Sequence, residues 1–221
     1  HSLASYLMGG VNKPGLIVDG YASPHGFALK PSHAKMLQEA DLVFWVGEDL
    51  ENFLEKPLVS IAKKAEKIEL LEIKGLTKLK FRERNIFDGH DDHGHKEDDH
   101  DEHAKKDDHD DHDHDKEGHK EDDHDDHGHD EHEGHAHGEF DPHIWLDPMN
   151  AKVILKEMAE HMIENDPNNA NVYKSNLKKA LNDIDKLTKN VKSDLNKDFK
   201  SIVFHDAYQY FEKRFDVNVM G

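Results

Sequence analysis

The chain has 221 residues, no cysteine and a formal net charge of −19. Without cysteine, disulfides and thiolate zinc sites are excluded, leaving His, Asp and Glu as the strong metal ligands. The charge is concentrated in residues 88–139, which hold 24 acidic residues and five lysines; the remainder carries 24 of each sign, so no basic cluster points to nucleic acid.

Setting that segment aside leaves about 170 residues, enough for one domain or one and a half. No run approaches about 18 consecutive apolar residues, so no transmembrane helix is predicted. The chain starts at His1 in mid-pattern, with Leu3, Leu7 and Met8 at helical spacing, and stops just after entering a new strand. Both ends read as cut, and a signal peptide is expected upstream of His1.

In chain order, Gly15–Asp19 is a short apolar run between glycines and predicts a buried strand. A loop containing Ser23-Pro24-His25-Gly26 follows. Lys30-Pro31-Ser32 then opens a helix carrying Met36, Leu37 and Ala40. Leu42–Val46 is continuously apolar and ends at Gly47, as a central parallel strand does. A second helix is expected over Glu51–Ala65, with Phe53, Leu54, Leu58, Ile61 and Ala62 on one stripe, and a third strand over Ile68–Ile73. Strands alternating with helices imply βαβ units and a parallel sheet, an α/β fold.

Residues 88–139 then contribute fifteen histidines with almost nothing apolar. The eight residues Gly94–Asp101 recur unchanged as Gly118–Asp125, a duplication within a permissive segment. Such a composition cannot build a core, and it predicts disorder in the metal-free state. Imidazole is the commonest ligand for zinc, copper and nickel, so the tract points to divalent transition metal as the substrate class.

Order is expected to resume at Phe140-Asp141-Pro142-His143-Ile144-Trp145-Leu146-Asp147-Pro148. Asp147 and Pro148 suit an N-cap and first helical position, ahead of Val153, Ile154, Met158 and Met162. From Ala170 to about Asn196, Tyr173, Leu177, Leu181, Ile184, Leu187, Val191 and Leu195 form a sustained stripe. A helix of that length spans about 40 Å, which suits a coiled coil or a strut along a two-lobed protein. Ser201–Phe204 is a predicted strand ended by His205, and Ala207–Phe215 a predicted helix.

Apart from the tract and His1, the histidines are His25, His33, His143, His161 and His205. His25 and His205 fall just beyond predicted strands, where open parallel sheets bind ligands. His143 lies between prolines ahead of a helix. Three imidazoles converging from separate loops would make an all-nitrogen site typical of zinc, with a fourth position open or filled by a carboxylate. His33 and His161 read as exposed helix surface.

Three strings carry a specific resemblance. They are Ser23-Pro24-His25 with Lys30-Pro31-Ser32 and Ala40–Gly47, then Asp141–Pro148, then Phe204-His205-Asp206-Ala207-Tyr208. Together they resemble the zinc-binding, ZnuA-type members of the metal-specific substrate-binding proteins of ABC importers, which also carry a charged His-rich loop ahead of the second string. The resemblance implies an α/β fold of two lobes with parallel sheets flanked by helices, joined by a long rigid helix, with metal in the cleft. Residues 1–87 and 140–148 would form the amino-terminal lobe, 88–139 the His-rich loop and 149–198 the helices including the linker. Residues 199–221 would open the second lobe, most of which this chain lacks.

On the same resemblance His25, His143 and His205 are the metal ligands, and Zn²⁺ is the transported ligand rather than a resident cofactor. The partner is the membrane permease of an ABC importer, with no nucleic acid partner, and the protein is a periplasmic monomer, not an enzyme. Manganese-binding relatives usually carry Glu where this chain has His205, and a third imidazole favours zinc. Two departures leave the fourth ligand unassigned. Pro24 stands where some zinc members place Glu, and an acidic ligand from the far part of the second lobe is not in this chain. The competing readings are a storage or buffer protein using the tract and a related protein that binds manganese or another divalent metal. A zinc hydrolase is weaker, because no His-Glu-x-x-His pair and no sequence-positioned general base is present.

Overall fold

The computed structural model describes residues 1–20, 22–82, 138–196 and 201–220. These belong to one compact unit, formed by His1–Ile86 together with His137–Gly221. The expectations for the His-rich tract fall almost entirely outside the described residues.

Among the described residues there are two parallel strand pairs. Strand β1 (Leu42–Trp45) pairs in parallel with β2 (Glu66–Glu69), in register from Leu42 opposite Glu66 to Trp45 opposite Glu69. Near the end of the chain, β3 (Ser201–Ile202) pairs in parallel with β4 (Val219–Met220). Helix α1 (Ser2–Leu7) leads the chain, α2 (Pro31–Glu39) precedes β1, and α3 (Glu48–Ser60) connects β1 to β2. Helices α4 (Pro148–Asn165) and α5 (Ala170–Asp194) follow, and α6 (Gln209–Phe215) lies between β3 and β4. This is the α/β class with the parallel pairing that the alternating pattern implied.

Helix α4 is the centre of the main core. Its Ile154, Leu155, Met158, Ala159 and Met162 pack with Ala4 and Leu7 of α1, Tyr173 and Ala180 of α5, and Ile144 and Tyr210. A smaller cluster joins Leu37 of α2, Val43 of β1 and Leu54 and Leu58 of α3. Helix α5 is amphipathic and lies along α4 and α1. Its length is therefore supported by one packed face rather than by propensity alone. Between β1 and α3 the chain turns at Gly47, whose φ is +150°. A Cβ there would sit 2.8 Å from Glu69 Oε1 and 3.1 Å from Leu71 Cδ1, side-chain tips that can shift, so it is the backbone angle that calls for glycine.

Several expectations are corrected. The run Gly15–Asp19 forms no strand, and Leu16 is exposed. Residues of Pro14–Val18 and of Asp41–Phe44 both line an open cavity of about 800 Å³, and among the described residues no strand pairs with the run. Strand propensity without a paired neighbour does not make a strand. The third strand stops at Glu69, where the backbone tightens into a single 3₁₀ turn at Leu70–Glu72. Helix α3 ends at Ser60 rather than Ala65, three residues after the Pro57 within it. The predicted strand Ser201–Phe204 shortens to Ser201–Ile202, and the helix after it starts at Gln209 rather than Ala207.

His33 and His161 are not exposed surface. His33 is buried, its Nδ1 accepts from the Lys30 amide at 3.1 Å, and its ring packs against Phe27. His161 is half-buried, with Nδ1 2.8 Å from Glu66 Oε1, and so ties α4 to β2. Both face polar groups that helical spacing does not reveal, His33 the nearby Lys30 amide and His161 a carboxylate remote along the chain.

One buried polar side chain fixes the loop ahead of α4. Asn150 is almost fully buried; its Oδ1 accepts from the Thr77 amide at 2.8 Å. Its Nδ2 donates to the Thr77 carbonyl at 2.9 Å and to the Ile144 carbonyl at 3.1 Å. Replacing it with Ala strands backbone groups in a dry site, at about 1–3 kcal/mol for an unsatisfied group. Urea unfolding of Asn150→Ala is expected to show a loss of at least that size, and an unchanged midpoint would contradict the assignment.

Candidate metal centre

Each of the three singled-out histidines is delivered by a different local structure. His25 lies in the loop before α2, where Ser23 Oγ accepts from its amide at 3.2 Å, a short turn made by Ser-Pro-His. His143 immediately precedes the 3₁₀ turn Ile144–Leu146, which leads into α4. His205 lies between β3 and α6, in a turn closed by the Ala207 amide donating to its carbonyl at 2.9 Å.

The fold brings all three together. One nitrogen from each of His25, His143 and His205 lies within 4.8 Å of the others. The ring centroids are 5.8 Å apart for His25 and His143, 5.1 Å for His25 and His205, and 5.0 Å for His143 and His205. The Nε2 atoms of His143 and His205 are 3.1 Å apart. Nitrogens on a tetrahedral zinc at about 2.0–2.1 Å lie about 3.3 Å from each other, so this pair already has the required spacing. His143 is buried, whereas His25 and His205 are exposed, which leaves the centre a buried floor and an open mouth. Trp145 stands beside the floor, its ring 5.4 Å from that of His143.

Protonation favours a cation here. Burial, and then the neighbouring His143, hold the pKa of His205 below the ordinary imidazole value of 6.5, against the opposing pull of Asp206 and Asp141. A neutral imidazole offers a lone pair, which is what a transition metal requires. The histidine group brings one nitrogen from each of three imidazoles to one point. Such a set can hold a divalent transition metal with one coordination position left for water or a carboxylate. Among the described residues the metal-competent group consists of these three. The 800 Å³ cavity is lined by none of them, so the chemistry lies in a shallow cluster rather than in the large pocket.

The shell around the histidines was less legible in the sequence. Asp141 Oδ1 accepts from the His143 ring Nδ1 at 2.7 Å and from its backbone amide at 2.9 Å. Asp147 caps α4 as expected, accepting from the Met149 amide at 2.8 Å. It also receives Arg214 in a two-pronged pair, Nε at 2.7 Å and Nη2 at 2.6 Å. That pair fixes the end of α6 to the start of α4. Arg82 pairs with Glu212 and lies 3.7 Å from Asp206, holding the other side of the same segment. The Asp two residues before His143 was a usable signal, because short Asp side chains bond backbone two residues on. Nothing local marks Arg214 or Gln209, whose partners are more than sixty residues away.

The lowered pKa of His205 has a direct consequence for stability. The folded protein holds this group neutral where an unfolded chain would protonate it, between the folded pKa and 6.5. Its stabilising contribution is complete above 6.5 and is lost as pH falls through the folded pKa. Histidine NMR titration of metal-free protein is expected to place His205 below 6.5, and a midpoint at or above 6.5 would contradict this geometry.

Comparison with known proteins agrees with the architecture. The family model described as zinc-uptake complex component A, periplasmic (ZnuA) matches residues 1–221. The high-affinity zinc uptake system protein ZnuA of Brucella abortus (strain 2308) is 47% identical over 223 residues, covering 100% of this chain and 64% of the relative. Its counterpart in Paracoccus denitrificans (strain Pd 1222) is 41% identical over 216 residues, covering 97% and 60%. This chain thus spans 64% of the length of the Brucella protein it matches. Among solved structures, a crystal structure of ZnuA aligns with a TM-score of 0.67 at 19% identity, covering 99% of this chain and 64% of that one. Zinc-bound AdcA from Streptococcus pneumoniae aligns with a TM-score of 0.64 at 16% identity, covering 99% and 36%. The fold is that of these proteins, and among the described residues no helix is long and apolar enough to cross a membrane. The chain belongs to the ZnuA family of periplasmic zinc-uptake components.

Proposed function

We propose that this chain is the zinc-capturing portion of a high-affinity uptake protein, with His25, His143 and His205 as the ligands of the transported Zn²⁺. The longer protein would bind zinc outside the cytoplasmic membrane as a monomer and deliver it to the membrane permease of an ABC importer. The single observation that carries this reading is the convergence of three imidazole nitrogens within 4.8 Å of one another. The family and the zinc uptake proteins it resembles support the same cargo.

Capture and release require no covalent chemistry. Zinc is a borderline-soft ion suited to imidazole, and the three donors are neutral above the histidine titration range. A carboxylate in place of His205 would favour a harder ion such as manganese. The rest of the second lobe, in the longer protein, would close over the mouth between His25 and His205.

Zinc affinity is read by chelator competition on the purified protein at pH 7.5 and pH 5. Protons compete for all three imidazoles, so binding is expected to weaken steeply below about pH 6. Equal affinity at both values would remove the three-histidine site. His25→Ala, His143→Ala and His205→Ala are each expected to weaken the tight site by about 100-fold or more, in line with structural zinc energies shared over four ligands.

The His-rich tract would act as a low-affinity collector beside that site. Deleting Asp88–Gly138 is expected to leave one tight zinc site while the weaker ones vanish. A storage protein behaves in the opposite way, keeping its capacity after the triple histidine substitution and losing it with the tract.

A further inference from the structure

We propose that Asp141 is the positioning residue of the histidine centre, fixing His143 with its proton on Nδ1 and its Nε2 facing His205, and linking that ring to the helix after His205. The inference rests on the reading of the three histidines as the zinc site and adds to it a residue that would not touch the ion.

Asp141 is only 3% exposed. Its Oδ1 lies 2.7 Å from His143 Nδ1 and also accepts from the His143 amide. A carboxylate only accepts, so Nδ1 carries the proton and Nε2 of the neutral ring holds a lone pair. That lone pair faces His205 Nε2 at 3.1 Å, so in metal-free protein the His205 N–H donates to it. For both Nε2 atoms to hold a cation, His205 must carry its proton on Nδ1 instead, which frees its own Nε2 lone pair. A histidine ligand whose other nitrogen is bonded to a carboxylate is also a more basic ligand with a fixed ring plane.

The second carboxylate oxygen reaches the other ligand segment. Asp141 Oδ2 accepts from Gln209 Nε2 at 3.1 Å, and Gln209 also donates to the Lys80 carbonyl at 3.1 Å. The backbone carbonyl of Asp141 accepts from Tyr210 Oη at 2.8 Å, while that hydroxyl accepts from the Leu79 amide at 3.0 Å. Gln209 and Tyr210 open α6, four and five residues after His205. One buried side chain therefore fixes the tautomer of His143 and, through Gln209, also bonds the start of the helix after His205.

Long-range ¹H–¹⁵N spectra of metal-free protein read the tautomer directly, with His143→Gln assigning the resonance. The wild-type ring is expected to carry its proton on Nδ1, and a proton on Nε2 overturns the proposal. Asp141→Asn, which preserves shape but removes the charge, is expected to weaken zinc about 10- to 100-fold by chelator competition. Asp141→Ala is expected to give a mixture of tautomers, and should it not fold, the wild-type spectrum and Asp141→Asn still decide. Gln209→Ala is expected to weaken zinc less while leaving the tautomer intact, and unchanged affinity there overturns the link to α6. If His143→Ala abolishes tight binding while Asp141→Asn keeps wild-type affinity, Asp141 is not a positioning residue and the zinc site stands. If His143→Ala keeps tight binding, the zinc-site reading fails, and the metal-free spectrum still judges Asp141.

Discussion

The structure depends on holding the start of α6 against the segment that carries His143. Three imidazoles meet only if chain segments far apart in sequence are fixed to within a fraction of an ångström. Flexible loops alone would spread that requirement over many conformations, at about 1–2 kcal/mol of backbone entropy for each residue ordered on binding. Here the ordering is done in the fold. Asn150 ties the His143 turn to Thr77, Arg214 grips the Asp147 cap of α4, and Tyr210 reaches across to Asp141 and Leu79. Each of these bonds satisfies a buried polar side chain.

Below this network lies α4, whose apolar face anchors the main core. The sequence Asp147-Pro148 starts that helix at a defined residue, and the preceding 3₁₀ turn fixes where His143 emerges. The cap does two jobs, since its carboxylate both accepts from the Met149 amide and receives Arg214. Helix start, histidine placement and the docking of α6 are therefore coupled through one carboxylate. The arrangement leaves His25 and His205 exposed above a buried His143, a geometry open on the solvent side.

Much of this was legible in the residues. The order of helices and strands, the cap at Asp147, the long stripe of α5 and the three histidines follow from spacing and residue type. The run Gly15–Asp19 misled because its apolar character reports burial against something, while a strand also needs a backbone neighbour, and among the described residues none pairs with it. His33 and His161 misled because a histidine at a surface-like helical position can still be drawn inward by one polar partner, the Lys30 amide or Glu66. Arg214 and Gln209 were silent because their meaning lies wholly in partners remote along the chain. The His-rich tract dominates the composition, yet the ordered convergence of donors lies elsewhere, in residues that composition alone does not distinguish.

The central claim is that zinc is held by three imidazoles from His25, His143 and His205. X-ray absorption at the zinc edge, on protein loaded with a single equivalent, reports the shell directly. The account predicts a four-coordinate, nitrogen-rich shell at about 2.0–2.1 Å, with multiple-scattering signatures of three imidazoles that fall in number when His205 is replaced by Ala. An oxygen-dominated shell, or an imidazole count unaffected by that replacement, would contradict it.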